Sequence, residues 1–127
     1  MFVKAKTFGD EKIAEEILKK GKNPKVAKNL GRKVAKYDDD FWSNIRYKVM
    51  VDACFFKFSA SSELKKELLH EKYKDKHFVE ASPIDCIWGV CLAEDDSLID
   101  DEKNWKGTNL LGKSLDAVRE MLLKNEK

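Results

Sequence analysis

Apolar residues at Met1, Ala5 and Phe8 follow a helical spacing, and Gly9 can end that helix. Asp10 can cap a second helix whose stripe is Ile13, Ala14, Ile17 and Leu18, with Gly21 as its stop. Asn23-Pro24 puts a side-chain oxygen at a cap and proline at the first turn. The short helix it opens reaches Leu30-Gly31, where glycine suits a left-handed cap, and Arg32 follows just past the end. The strongest pattern comes next. Trp42, Ile45, Val49, Ala53 and Phe56 recur at spacings of three and four, and Phe41, Met50 and Phe55 widen the apolar surface. That pattern predicts a central core helix. The acidic triplet Asp38-Asp39-Asp40 before it complements the helix dipole, with a metal site as the alternative. Ser61-Ser62 opens another helix with Leu64, Leu68 and Leu69 inward.

The helical period is then lost. Lys76 to Ala81 reads as a strand or extended segment, and Cys86 to Leu92 is a second short apolar run carrying Ile87, Val90 and Leu92. Glu94 to Glu102 holds six acids and no base, the pattern of a solvated loop. Trp105 to Gly112 is turn-rich. Ser114 is expected to cap a final helix with Leu115, Val118, Met121 and Leu122 inward. The fold class these elements predict is mainly α, strictly α+β with a minor β element, in one domain over residues 1–127.

Charge and cysteine content narrow the picture. Charged residues make up 38% of the chain, yet the formal net charge is only +2, too weak for a general polyanion-binding field. The charge is uneven. Residues 1–37 hold eleven Lys/Arg against four Asp/Glu, and the remainder holds fourteen against nineteen. Solvated helix faces account for this, and a basic wall for phosphates is the functional alternative. Cys54, Cys86 and Cys91 form no CxxC pair, so buried thiols in a reducing compartment are expected. Only His70 and His77 are available, which argues against a zinc site of the usual type. No apolar run approaches the ~20 residues a membrane span needs, and a cytoplasmic location without membrane contact is expected.

The chemistry concentrates in Val79-Glu80-Ala81-Ser82-Pro83-Ile84-Asp85-Cys86-Ile87-Trp88-Gly89, which sets two carboxylates and a tryptophan in an apolar run. An unpaired carboxylate there is costly to ionise, so it is paired, protonated or functional. Glu80 and Asp85 are the candidates for stabilising an oxocarbenium-like transition state, activating water or protonating a leaving group. Each can equally be a capping or ion-paired acid. Trp88 and Trp105 can stack on a heterocycle or belong to the core. Asn109 offers an amide in a glycine-flanked turn, and by itself reads as a turn former. Arg32 and Lys4 are possible phosphate ligands, although helices often end in Gly-Arg. No Walker A loop, GxGxxG, HExxH, GxSxG or EF-hand pattern occurs.

Taken in order, Lys4-Ala5-x-x-Phe8-Gly9-Asp10, Leu30-Gly31-Arg32, Trp42 with Arg46, Lys57-Phe58, the Val79–Gly89 run, and Trp105-x-Gly107-x-Asn109-x-Leu111-Gly112 form a series. Each motif is loose, and the ordered set is specific. It resembles the NADAR family, also called YbiA-like N-glycosidases, over nearly the whole chain. The resemblance implies a single-domain YbiA-like fold and a hydrolase acting on N-glycosyl bonds to ribose or phosphoribose. Implied substrates are phosphoribosylamino-pyrimidine intermediates of riboflavin synthesis or ADP-ribosylated guanine, including guanine in nucleic acid, with no cofactor or metal. By the resemblance Glu80 and Asp85 fall at the catalytic motif, Trp88 or Trp105 would stack on the base, Asn109 falls at a substrate-binding position, and Arg32 and Lys4 lie at the phosphate side. Family members carry roughly forty to fifty further residues before the motif lysine, within one-domain lengths. Their Ser-Asn-Phe-type and Ser-Glu-His-type motifs are not in this sequence, where Lys4 lies three residues after Met1. The rival expectation is therefore a catalytically inactive, N-terminally short member that binds ADP-ribose-like ligands or a protein partner. An uncovered Met1, Ala5 and Phe8 stripe would favour self-association. A nucleic-acid module finds little support, because basic and aromatic residues do not interleave.

Overall fold

The computed structural model describes residues 1–126. Among them the α-helices are α1 (Phe2–Thr7), α2 (Glu11–Lys20), α3 (Pro24–Gly31), α4 (Asp39–Ala60), α5 (Ser62–Leu68) and α6 (Leu110–Asn125). Single 3-10 turns occupy Glu71–Tyr73 and Glu102–Asn104. The chain divides into two compact units, Met1–Arg46 and Tyr47–Lys127, with the boundary inside α4.

The first unit is built on caps visible in the sequence. Asp10 Oδ1 accepts from the Ile13 N–H at 3.1 Å, which closes the first turn of α2. Its Oδ2 accepts from the Ala35 N–H at 2.8 Å and so ties the segment after α3 to the start of α2. Those two backbone donors, Ala35 first and Ile13 second, hold the Asp10 carboxyl below its ordinary value of 3.8. A depressed carboxyl contributes stability that is full above its ordinary value and is lost as pH falls through the depressed one. Asp10→Asn is therefore expected to melt lower than wild type at neutral pH, with the gap closing below the ordinary carboxylate range. A gap constant across a pH series of thermal melts would show that the Asp10 charge contributes nothing.

Asn23 Oδ1 accepts from the Lys25 N–H at 2.9 Å, and Pro24 occupies the first turn of α3 as its spacing predicts. The far end of α3 differs from expectation. The helix runs through Gly31, and its cap is Arg32 in right-handed geometry, at φ −77°. A Cβ at Gly31 would meet the Met1 side chain, whose flexible, half-exposed end would have to move aside. The core of this unit is Ala5, Ile13, Ala14, Ile17, Leu30 and Val34, with Phe8 and Val26 against it. Ala5 is fully buried, and the Phe8 ring lies 5.3 Å from that of Tyr37 and 6.3 Å from that of Trp42. Of the α1 stripe Ala5 and Phe8 are packed while Met1 is 50% exposed, and Leu18, expected inward on α2, is exposed as well.

In the second unit the buried face of α4 departs from the predicted stripe. Val51 and Cys54 are buried and Phe55 and Phe58 pack beside them, while Ala53 is exposed and Phe56 is 70% exposed. Leu68 of α5 and Val118 and Leu122 of α6 complete that core. The neighbours on α5 and α6 select the face, so the C-terminal part of α4 buries different positions from those its first turns suggest. Ser61 Oγ accepts from the Leu64 N–H at 3.3 Å and caps α5, as expected. Ser114 does not cap α6. It lies inside the helix, fully buried, with Oγ donating to the Leu110 carbonyl at 2.7 Å. The cap lies five residues earlier, at Asn109.

The expected minor β element is absent among the described residues, and the regular structure is helical throughout, which corrects the α+β class. The reason lies in where the backbone groups of the extended segment go. A strand needs a neighbouring backbone to exchange several bonds. Here the Phe78 N–H donates to Asp116 Oδ1 at 3.0 Å, the Phe78 carbonyl accepts from Asn109 Nδ2 at 3.0 Å, and the Glu80 N–H donates to Asn109 Oδ1 at 3.0 Å. Two side chains of the α6 region thus take the ladder positions. One backbone bond, Val90 N–H to Glu80 carbonyl at 3.0 Å, links the two runs expected to be strands.

Candidate active site

The second run, Cys86 to Leu92, is a turn rather than a strand. Its carbonyls point at the chain that leads into α6. The Cys86 carbonyl accepts from Thr108 at 2.9 Å, Ile87 from Leu110 at 3.1 Å, Trp88 from Leu111 at 3.1 Å and Gly89 from Asn109 at 3.1 Å. The first two N–H groups of α6, Leu110 and Leu111, are thereby spent on protein carbonyls. The turn also brings the Cα atoms of Cys86 and Cys91 to 4.5 Å, and the two are joined as a disulfide. This corrects the expectation of buried thiols. Only Cys54 fits it among the three: it is buried and unpaired, and burial pushes its thiol up.

The two candidate carboxylates have different environments. Asp85 Oδ1 accepts from the Ile87 N–H at 3.0 Å and the Trp88 N–H at 2.8 Å, and the Asp85 N–H donates to Ser82 Oγ at 3.2 Å. Asp85 therefore caps the turn that carries Trp88, the bland role the sequence left open. Glu80 is held by its backbone through Asn109 and Val90, and its carboxylate makes no hydrogen bond or ion pair among the described residues. It lines an open cleft of about 510 Å³ together with Val79, Ala81, Glu94, Ile99 and Asp100. Glu94 and Asp100 belong to the acidic block whose pattern reads as a solvated loop, so sequence reasoning misses them. The signal available for them was that block itself, six acids placed between the two tryptophan motifs.

Trp105 donates from Nε1 to the Ile99 carbonyl at 2.8 Å, so it braces the loop that supplies Ile99 and Asp100 to the cleft wall. Trp88 is half-buried, with both backbone groups held as described. Asn109 is 3% exposed and sits at φ +51°, a left-handed position that asparagine tolerates better than most residues. Both ends of its amide bond to the 78–80 backbone, which makes it the residue that positions Glu80. Glu80, Asp85, Trp88, Trp105 and Asn109 thus belong to one connected part of the second unit.

Lys4 and Arg32 lie in the first unit, and the structure brings them to one helix end. Lys4 Nζ donates to the Gly31 carbonyl at 2.9 Å and stands 4.1 Å from the centroid of the Tyr37 ring. Burial pulls the Lys4 ammonium down, and Asp39 opposes that pull. Arg32 caps α3 with an exposed side chain.

An isolated glutamate on a side-chain-braced backbone, above a turn that closes on a helix start, defines a helical domain with an acidic cleft. The chain belongs to the NADAR family: the model of the NADAR domain matches residues 1–123. Protein irg-1 of Caenorhabditis elegans is 43% identical over 124 residues, which are 96% of this chain and 57% of that protein. N-glycosidase R617 of Acanthamoeba polyphaga mimivirus is 37% identical over 117 residues, 92% of this chain and 67% of the relative. N-glycosidase YbiA of Shigella flexneri is 33% identical over 121 residues, 95% of this chain and 67% of the relative. The chain thus spans between 57% and 67% of the lengths of these relatives. No helix among the described residues is long and apolar enough to cross a membrane.

Proposed function

We propose that this protein hydrolyses an N-glycosidic bond to ribose or phosphoribose, with Glu80 as its working carboxylate. One observation carries the reading. Of the two candidate acids, Asp85 is committed to backbone N–H groups, whereas the Glu80 carboxylate is unengaged and faces a cleft. The names of the relatives R617 and YbiA support the reaction class. In the reaction the bond from C1′ to the base nitrogen breaks and a water oxygen bonds to C1′. The water proton goes to the carboxylate and then to the departing nitrogen. Glu80 stabilises the cationic ribosyl centre and receives that proton. Trp88 contributes its ring face to the base, and Asp85 acts through the turn it caps.

The substrate classes to test are a phosphoribosylaminopyrimidine and ADP-ribosylated guanine. Incubation of the chain with each, followed by detection of released ribose phosphate or ADP-ribose, is expected to show turnover of at least one. Binding of either without release would favour the inactive, ligand-binding alternative. Neither binding nor release would remove both readings.

A further inference from the structure

Asp116 spends both carboxylate oxygens on the segment that leads to Glu80. Oδ1 accepts from the Phe78 N–H at 3.0 Å, and Oδ2 lies 2.9 Å from His77 Nδ1. Arg119, three residues on in α6, does not pair with it and donates Nε to the Leu68 carbonyl at 3.2 Å. Asn109, Gly112 and Asp116 recur at three and four, so they lie on one face of α6. The segment rests on that face, since a Cβ at Gly112 would meet the Phe78 carbonyl oxygen. Asn109 holds the Phe78 carbonyl and the Glu80 N–H at 3.0 Å each from the helix start. Asp116 holds the Phe78 N–H from seven residues further along, about 10 Å at the helical rise. From His77 to Val79 this N–H is the only backbone donor that is held among the described residues. A single anchor at Asn109 would leave the approach to Glu80 free to pivot. Two anchors on one rigid helix fix its direction as well.

We propose that Asp116 is a positioning residue for Glu80. It sets residues 77–80 in register on α6, and through them the place of the Glu80 carboxylate at its cleft. What the position requires is an acceptor oxygen at one point, not a negative charge. The Phe78 N–H has no charge to neutralise, and the His77 side chain is 84% exposed, so its contact with Oδ2 is screened by solvent. The effect on turnover rests on the N-glycosidase reading; the anchor rests on the bond to Phe78 and stands without it.

Three variants of the full chain separate placement from charge. Asp116→Asn keeps an acceptor oxygen at the same reach and removes the charge. Asp116→Glu keeps the charge and displaces the oxygens by about 1.5 Å, one carbon–carbon bond. Asp116→Ala removes both. Steady-state rates are measured on the phosphoribosylaminopyrimidine or the ADP-ribosylated guanine, whichever wild type cleaves. Asp116→Ala should lower kcat about tenfold or more, Asp116→Glu should lower it less, and Asp116→Asn should stay within about threefold, with KM moving less than kcat in each. His77→Ala should stay within about twofold, as an exposed partner does. Amide hydrogen exchange reads the anchor with no substrate present. In Asp116→Ala the Glu80 N–H, whose acceptor on Asn109 is untouched, should exchange about tenfold faster or more relative to the buried Val51 of α4, and in Asp116→Asn it should not. Wild-type kcat in a folded Asp116→Ala, a slower Asp116→Asn than Asp116→Glu, or a Glu80 amide that keeps its wild-type exchange in Asp116→Ala would each overturn the assignment. If Asp116→Ala does not fold by circular dichroism, the order of Asp116→Asn and Asp116→Glu in kcat and in exchange decides. Faster Glu80 exchange in a chain that cleaves neither substrate would keep the anchor and remove the enzymatic reading. Cleavage with unchanged Glu80 exchange would do the reverse.

Discussion

Glu80→Gln is expected to lower turnover of any accepted N-glycoside by about 10²-fold or more, the usual scale for loss of a group that handles a proton. The swap is nearly isosteric. The contacts that hold residue 80 are made by its backbone, to Asn109 and Val90, so the fold and the melting temperature should stay close to wild type. The same change at the other acid, Asp85→Asn, leaves an acceptor oxygen for the Ile87 and Trp88 N–H groups and should cost much less activity. Steady-state rates of the two variants on one substrate decide the assignment. A Glu80→Gln enzyme as fast as wild type would take Glu80 out of the chemistry, and a larger loss at Asp85 would transfer the role.

The second large effect is expected at Asn109. Asn109→Ala strands the Phe78 carbonyl and the Glu80 N–H, two backbone groups that the amide satisfies at 3.0 Å each. At about 1–3 kcal/mol per unsatisfied group, the two together predict a loss of about 2–6 kcal/mol in denaturant unfolding. Activity should fall further than stability explains, and it should fall in kcat more than in KM. The Glu80 carboxylate would no longer be held in place, and misplacement by about 1 Å can cost on the order of 10²-fold. Gly112 tests the same junction by crowding. A Cβ there would meet the Phe78 carbonyl oxygen and the Asn109 amide. Alanine ordinarily gains about 1 kcal/mol over glycine in a helix, but a backbone oxygen cannot step aside as a side chain can, so Gly112→Ala should destabilise. An Asn109→Ala protein that is less stable yet has wild-type kcat would make Asn109 purely structural.

These expectations depend on features of unequal visibility. The caps at Asp10, Asn23 and Ser61 were legible because each side chain bonds an N–H two or three residues ahead, and the bond needs no other part of the chain. The second bond of Asp10, to Ala35, was not legible, because nothing near Asp10 names a partner 25 residues away. The stripe of α4 places the helix but not its buried face at Ala53 and Phe56, since an amphipathic period with many apolar neighbours leaves the face to whatever packs on it. Arg46 stood in the motif series beside Trp42, but the burial of its Nε is a tertiary property.

The site divides in the same way. Residue order alone placed a glutamate, an aspartate and two tryptophans in motifs and told the helices from the irregular segments, because local spacing and short-range caps carry that information. It could not assign the two acids. Asp85 became a cap because the chain turns tightly enough for Ile87 and Trp88 to donate to it, and Glu80 stayed unengaged because its backbone is held from elsewhere. Nor could it show that the extended segment would find no strand to pair with. An alternating apolar run states a tendency to extend, and a sheet needs a second backbone. Here Asn109 and Asp116, about thirty to forty residues later in the chain, reach that segment first with side chains, so the fold stays helical and the carboxylate is set at the cleft.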